Sequence, residues 1–339
     1  MSHIALRASN YEYYCSGACN TTRPPPKGEG GVVLMGGGTD VDAAFQWMGR
    51  RSGGGGLLVL RTGPRGDDAY DDYIMGLGKV AWAATLILLD ATASDEPFVL
   101  KQIAGAAAIF FAGGDQSEYW RYWGSTPVQK AVQARADAGC PIGGTSAGEA
   151  ILSGFVNSAL TGSVTSREAL ANPYDRRITV SDAFLTLPHL AGVLADMHFV
   201  TRDRLGRLLA MLARLQQDQR MTPPGAAVRG IGVDEKTALL VEPSGRASIV
   251  GRGTAYFLTL LNGTTRVCEK GAPLSLGALP AYRLDARDAS AASFDLSGWV
   301  GGGGVGYNLS VTAGALSEPA YGPPSAAAAP MPGEMRVLY

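Results

Sequence analysis

Four short apolar runs, each closed by turn residues, set the strongest limit on how this chain can fold. They are "GVVLMGGG" (Gly31 to Gly38), "LLVLRTG" (Leu57 to Gly63), "ATLILLDA" (Ala84 to Ala91) and "AAIFFAGG" (Ala107 to Gly114). A strand that is apolar throughout, rather than at alternate positions, belongs where both of its faces are covered. Parallel strands under helices meet that condition. The segments between them, such as Val41 to Arg50 and Ser125 to Ala138, are long enough for helices. The alternation predicts an α/β fold with a wound, mostly parallel sheet. The 46 glycines in 339 residues suit the tight turns this requires.

Residues 1–28 read as an irregular leader ending in the stiff "RPPPKGEG", where adjacent prolines favour an extended spacer. Residues 29–297 read as a single α/β domain. Within it a less regular stretch runs from Gly154 to about Asp196. The segment "RLGRLLAMLARL" then predicts a helix with Leu205, Leu208, Leu209 and Leu212 on one stripe. "GIGVDEKTALLVE", "RASIVG" and "TAYFLTLL" read as C-terminal strands. Residues 298–339, rich in Gly, Ala and Pro, read as a tail that is packed on the domain or partly disordered.

A net charge of −1 without a long basic run argues against a nucleic-acid partner. No apolar stretch approaches the roughly 20 residues that span a bilayer, so no membrane partner is expected. The N-terminus has no apolar h-region. Three of the six asparagines, Asn20, Asn262 and Asn308, head N-x-S/T triplets, a mild pointer to secretion over a cytoplasmic location. Cys15 and Cys19 are close enough to pair within a loop. Four cysteines without C-x-x-C, and only three histidines, make no convincing zinc site, and no metal or other cofactor is expected.

The stretch "CPIGGTSAGEAILSG", Cys140 to Gly154, carries the strongest chemical signal. A strand ending near Gly144, a serine flanked by small residues and a helix from Glu149 onward make a nucleophile elbow of the form G-x-S-x-G. Small neighbours relieve the strain of such a corner and let a substrate reach Ser146 Oγ. The helix N-terminus beneath the serine would favour a developing oxyanion. A serine nucleophile needs a base. His3 lies in the leader, and His189 in "TLPHLAGV" sits among apolar residues. His198, at the start of the expected helix and beside Arg202, Asp203, Arg204 and Arg207, has the polar setting of a base. Three arginines balanced by one aspartate suggest a site for a substrate carboxylate. The orienting acid stays open between Asp234 and Glu235, which point to opposite faces of a strand, with Glu168 weaker and Asp196 as a substrate group. The loop "FFAGGDQSEYW" offers backbone N–H groups and Gln116. Neither it nor "MGGGTD" fits a phosphate-loop pattern.

In order, the motifs GGG-T-D, A-GGDQ, GGTSAG, D-x-HF-x-x-R-x-R-L-G-R-L and GIG-x-DE resemble the cyanophycinase family of serine peptidases, relatives of aspartyl dipeptidase. The resemblance covers Gly31 to Glu242. It implies a class I glutamine-amidotransferase-like (flavodoxin-like) three-layer α/β/α sandwich with C-terminal strands, and commonly a homodimer. It implies cleavage of β-linked aspartyl–arginine units from cyanophycin through an acyl-enzyme. Carried over, Ser146 is the nucleophile, His198 the base and Glu235 the orienting acid. Backbone N–H groups of Gly114 and Ala147 form the oxyanion hole, and Gln116, Asp196, Arg202, Arg204 and Arg207 line the substrate pocket. Met197 stands where the family reads Gln, which bears on cyanophycin specificity. An aspartyl or isoaspartyl dipeptidase acting on small peptides, and a catalytically silent binding relative, are the alternatives. An α/β-hydrolase proper has no place for the D-x-H-F-x-x-R-x-R segment.

Overall fold

A computed structural model describes residues 3–19, 24–64, 70–288 and 292–323. The four apolar runs form the strands Val32–Met35, Gly56–Thr62, Trp82–Leu88 and Ala108–Phe111. With Ile142–Thr145 they make five adjacent parallel strands inside a sheet that has eleven among the described residues. Successive side chains enter different cores. Val33, Met35, Val59 and Phe110 pack with Phe45 and Met48 of the helix Asp42–Arg51. Leu34, Leu58, Leu60 and Phe111 join the core holding Val99, Tyr119 and Val128, from the helices Pro97–Gly105, Gln116–Trp123 and Pro127–Asp137. Burial on both faces is why these strands show no alternation.

Outside that block the pairing turns antiparallel, with Tyr11–Gly17 on Trp82–Leu88 and Thr237–Val241 on Val32–Met35. A second sheet, nine strands among the described residues, pairs Val193–Met197 with Val228–Val233 in parallel. It continues antiparallel through Thr254–Leu260, Ser275–Asp285 and Val305–Thr312. The fold is therefore mixed α/β with two mixed sheets, and the expectation of one mostly parallel central sheet holds only for the five-strand block. Parallel neighbours need a crossover of a dozen or more residues, and short returns such as Glu242 to Gly245, between Thr237–Val241 and Arg246–Gly251, allow only antiparallel pairing. One face of the second sheet, through Ala195, Ile231 and Phe257, shares the core of Leu34 and Phe111. Its other face, through Leu194 and Leu258, packs against the helix Leu205–Gln217, whose leucine stripe is fully buried.

The expected irregular leader is instead a hairpin, His3–Arg7 on Tyr11–Gly17, that extends the first sheet. Tyr11, Tyr13 and Cys15 alternate into the core, while Glu12 and Ser16 on the other face are buried as well. Cys15 is disulfide-bonded to Cys19, while Cys140 and Cys268 are buried thiols. Part of the expected tail is ordered as the strands Val300–Gly302, Val305–Thr312 and Ala315–Leu316. Residues 324–339 and the Asn20 triplet's first three positions lie outside the described residues.

The serine corner is closely packed. A Cβ on Gly148 would lie 2.1 Å from the Phe111 carbonyl oxygen, and one on Gly144 would lie 2.4 Å from Gly148. Backbone must move to admit either, so Gly148→Ala is expected to destabilise by about 2–3 kcal/mol, read as a lower urea midpoint. Gly76, in the helix Asp71–Leu77, has nothing within 4 Å of such a Cβ. Gly76→Ala should instead raise the midpoint, by up to about 1 kcal/mol, through helix propensity.

Candidate active site

Ser146 ends the strand Ile142–Thr145 with φ 53° and ψ −118°, a conformation costly for a residue with a side chain. Its N–H donates to the Met35 carbonyl at 3.0 Å, which helps to hold it there. The helix that follows is the single turn Ala147–Ala150, shorter than the sequence suggests. The aligned peptides beneath the serine are correspondingly few, so a helix dipole contributes little. His198 follows the strand Val193–Met197 at φ 51°, and its N–H donates to the Gly36 carbonyl at 2.8 Å. It does not begin a helix: residues 198–204 form a turn, and the helix starts at Leu205. The segment expected as one strand through Asp234 and Glu235 is two, Val228–Val233 in the second sheet and Thr237–Val241 in the first. Glu235 lies on the crossing between them, where the Lys236 N–H donates to the Gly37 carbonyl at 2.8 Å.

These three anchors bring the side chains into line. Ser146 Oγ lies 2.8 Å from His198 Nε2, and His198 Nδ1 lies 2.6 Å from Glu235 Oε1. A carboxylate can only accept, so Nδ1–H donates to Glu235 and leaves Nε2 to accept the serine proton. The choice among acids is resolved geometrically. Asp234 accepts the N–H groups of Val200 and Thr254, at 3.1 and 3.0 Å, and burial pushes its carboxyl up to about 6. Glu168 closes a capping box with Thr165 and pairs with Arg177. His189 is engaged elsewhere, 2.9 Å from the Pro243 carbonyl oxygen. The side chain of His3 lies outside those described.

A cavity of about 400 Å³ opens over the serine, lined by Gly114, Gln116, Met197 and the three arginines. Asp196 is not among its walls. It is fully buried and its carboxylate takes both Nε and Nη2 of Arg207, so it holds that arginine in place instead of facing a substrate. Arg207 spends a further donor on Ser163 Oγ at 2.8 Å. Arg204 donates to the Val164 carbonyl at 2.9 Å, and burial beside Arg207 pulls its guanidinium down to about 10. Neither Arg202 nor Arg204 pairs with a carboxylate among the described residues, and together they outweigh Asp115 on the same lining, so the cavity presents an excess of positive charge. Gly114 lines it at φ 155°, whereas Ala147 is buried behind the serine. No group of three or more His, Cys, Asp or Glu among the described residues is placed to hold a metal.

Two features escape a sequence reading. Met35, Gly36 and Gly37 end the first apolar strand and carry all three anchors, and a Cβ on Gly37 would lie 2.4 Å from His198 Cε1. The GGG-T-D motif and the position at the end of a central parallel strand, the customary place for sites in such sheets, mark the segment but not the three carbonyls' role as anchors. Glu149 is fully buried beside the serine, and neither oxygen has a hydrogen-bond partner among the described residues. Burial, reinforced by Asp196, keeps its carboxyl protonated well above the usual carboxylate range.

The chain is 28% identical over 201 residues to a cyanophycinase from Synechococcus elongatus, a match covering 58% of this chain and 56% of the relative. A cyanophycinase from Geminocystis herdmanii is 28% identical over 157 residues, covering 46% of this chain and 49% of its own. The chain thus spans about half the length of the cyanophycinases it matches. No protein-family profile matches it. Among solved structures, a peptidase from an acI-B1 actinobacterium superposes with a TM-score of 0.48 at 18% identity, covering 70% of this chain and 96% of that one. A putative peptidase E from Listeria monocytogenes gives 0.41 at 12%, covering 66% and 98%.

The protonation of His198 is directly measurable in this cyanophycinase relative. Burial lowers its pKa below the ordinary 6.5, the Glu235 hydrogen bond opposes that, and Arg202 and Arg204 lower it further. The imidazole should therefore titrate below 6.5 by NMR, staying neutral and able to accept a proton through neutral pH. Glu235→Gln removes the one group that favours the charged ring, and should move the midpoint lower still.

Proposed function

We infer that the protein is a serine-type peptidase that hydrolyses β-aspartyl bonds, with Ser146 as nucleophile, His198 as base and Glu235 as its orienting acid. The observation that carries this reading is the continuous line from Ser146 Oγ to His198 Nε2 and from Nδ1 to Glu235 Oε1. It ends in a cavity where Arg202 and Arg204 outweigh Asp115. His198 takes the serine proton as Oγ attacks the amide carbonyl, and the carbonyl electrons pass to an oxyanion facing the backbone around Gly114 and Ala147. The protonated imidazole returns its proton to the leaving amine. Water, deprotonated by the same imidazole, then releases the acyl group from Ser146. Arg202 and Arg204 would receive the α-carboxylate of the aspartyl residue, with Gln116 beside them.

Cyanophycin is the polymeric substrate suggested by the relatives' names. Short β-aspartyl peptides are the second reading, favoured by two observations. Asp196 is consumed by Arg207, which leaves Asp115 as the only carboxylate residue among the described residues lining the cavity to meet an arginine guanidinium. Met197 presents a thioether, 4.0 Å from Arg207 Nη2, where a side-chain amide would add polar contacts. A homodimer belongs to the same proposal and is read from solution mass.

Incubation with insoluble cyanophycin and with β-Asp-Arg-type and other short β-aspartyl peptides separates the two substrates. Release of β-Asp-Arg from the polymer is the cyanophycinase outcome, and cleavage of the peptides alone is the dipeptidase outcome. Ser146→Ala should lower either rate by roughly four orders of magnitude or more. Undiminished hydrolysis in that variant overturns the serine mechanism.

A further inference from the structure

The turn that carries His198, Arg202 and Arg204 does not hold itself. Two of its residues with side chains, His198 and Asp203, lie at positive φ, 51° and 45°. Its internal bonds are few: Arg202 N–H to the His198 carbonyl at 2.9 Å, Asp203 to Val200 at 3.0 Å and Arg204 to Phe199 at 2.8 Å. A turn with two such residues needs outside contacts to persist as one conformation.

One of those contacts comes from far along the chain. Tyr321 Oη donates to Asp203 Oδ1 at 2.7 Å and accepts the Leu205 N–H at 3.4 Å. The Phe199 carbonyl lies 3.5 Å from the same oxygen, but the hydroxyl has one hydrogen and the carboxylate takes it. The hydroxyl thus sits where the beginning of the turn, its end and the first residue of the following helix converge. Its ring stands edge-on to Phe199 at 5.9 Å and to Tyr256 at 5.7 Å. Phe199 directly follows His198 and is fully buried. The Tyr321 backbone is itself tied down, because Arg283 Nη1 in the strand Ser275–Asp285 donates to its carbonyl at 3.3 Å. Burial and the neighbouring Asp203 raise the phenol's pKa above its usual value, so it remains a donor at working pH.

We propose that Tyr321 is a positioning residue: through Asp203, Leu205 and Phe199 the C-terminal segment sets the turn that aims His198 at Ser146 and presents Arg202 and Arg204 to an anionic substrate. The segment lies beyond the motifs that resemble the cyanophycinases, so this device belongs to the C-terminal part of the chain. The catalytic half of the proposal rests on the serine-peptidase reading; the effect on the turn and on His198 does not.

Tyr321→Phe keeps both ring contacts and removes only the hydroxyl, so the fold is retained; Tyr321→Ala removes both. In Tyr321→Phe, amide hydrogen exchange across residues 199–205 should quicken about tenfold, the size expected for one lost hydrogen bond to a charged group. Because burial and the two arginines hold the His198 midpoint down, loosening the turn should move that midpoint up toward 6.5 in an NMR titration. With a β-aspartyl peptide, kcat should fall severalfold as His198 loses its aim and KM should rise severalfold as Arg202 and Arg204 lose theirs, and Tyr321→Ala should exceed both effects. Unchanged exchange and an unchanged midpoint in Tyr321→Phe overturn the proposal. Faster exchange with an unmoved midpoint and KM reduces Tyr321 to packing and also overturns it. If the wild-type protein cleaves no β-aspartyl substrate, the peptidase reading fails while exchange and titration still decide the role of Tyr321.

Discussion

Three consecutive backbone carbonyls, those of Met35, Gly36 and Gly37, hold the candidate site together. Each accepts one N–H, from Ser146, His198 and Lys236 in turn, and each of those belongs to a different excursion of the chain. Backbone hydrogen bonds of 2.8 to 3.0 Å fix the three excursions to the end of one central strand. The side-chain line from Ser146 through His198 to Glu235 follows from that common anchorage. Glycine is needed beside the anchors. Gly36 is packed so tightly against the Val233–Asp234 backbone that a Cβ would lie 2.2 Å from the Asp234 carbonyl oxygen, and Gly37 carries a positive φ against the imidazole face. A side chain at either position would separate the two sheets where the site is assembled.

The electrostatic arrangement around this anchorage divides into charges that are spent and charges that are free. Asp196 and Arg207 neutralise each other in a buried bidentate pair, and Asp234 is committed to backbone N–H groups. A buried pair of this kind adds little net stability, since desolvation offsets most of the attraction. Its effect here is to fix the orientation of Arg207 at the cavity wall. Arg202 and Arg204 remain to set the sign of the pocket. Glu149 is the exception, a carboxyl buried beside Ser146 and kept neutral by that burial, with no hydrogen-bond partner among the described residues.

The first apolar strands, the helices from Val41, Ser125 and Leu205, and the serine corner were legible because each depends on residues near one another in sequence. Continuous apolar runs demand double burial, 3.6-residue spacing demands a covered helix face, and a serine among glycines demands a tight corner. His198 was legible through scarcity, since few histidines were available to serve the serine. The N-terminal hairpin was concealed because Glu12 and Ser16, two polar residues of its strand, are themselves buried. The break at Asp234–Lys236 was concealed because both flanking strands have the same apolar character, and nothing local tells which sheet each will join.

By itself, then, the sequence determined the parallel block and the serine corner, consequences of local composition and periodicity, and singled out Ser146 and His198 as the pair that the fold brings within 2.8 Å. The tertiary structure alone decided which acid faces His198, that Asp196 turns to Arg207 and away from the cavity wall, and how the sheets are mixed. Asp234 and Glu235 are adjacent and chemically alike, and only the crossing between two sheets turns one toward the imidazole and the other toward Val200 and Thr254. Asp196 and Arg207 likewise look like two pocket residues in sequence. Folding places one beneath the other, where unscreened opposite charges pair with each other before either can meet a ligand.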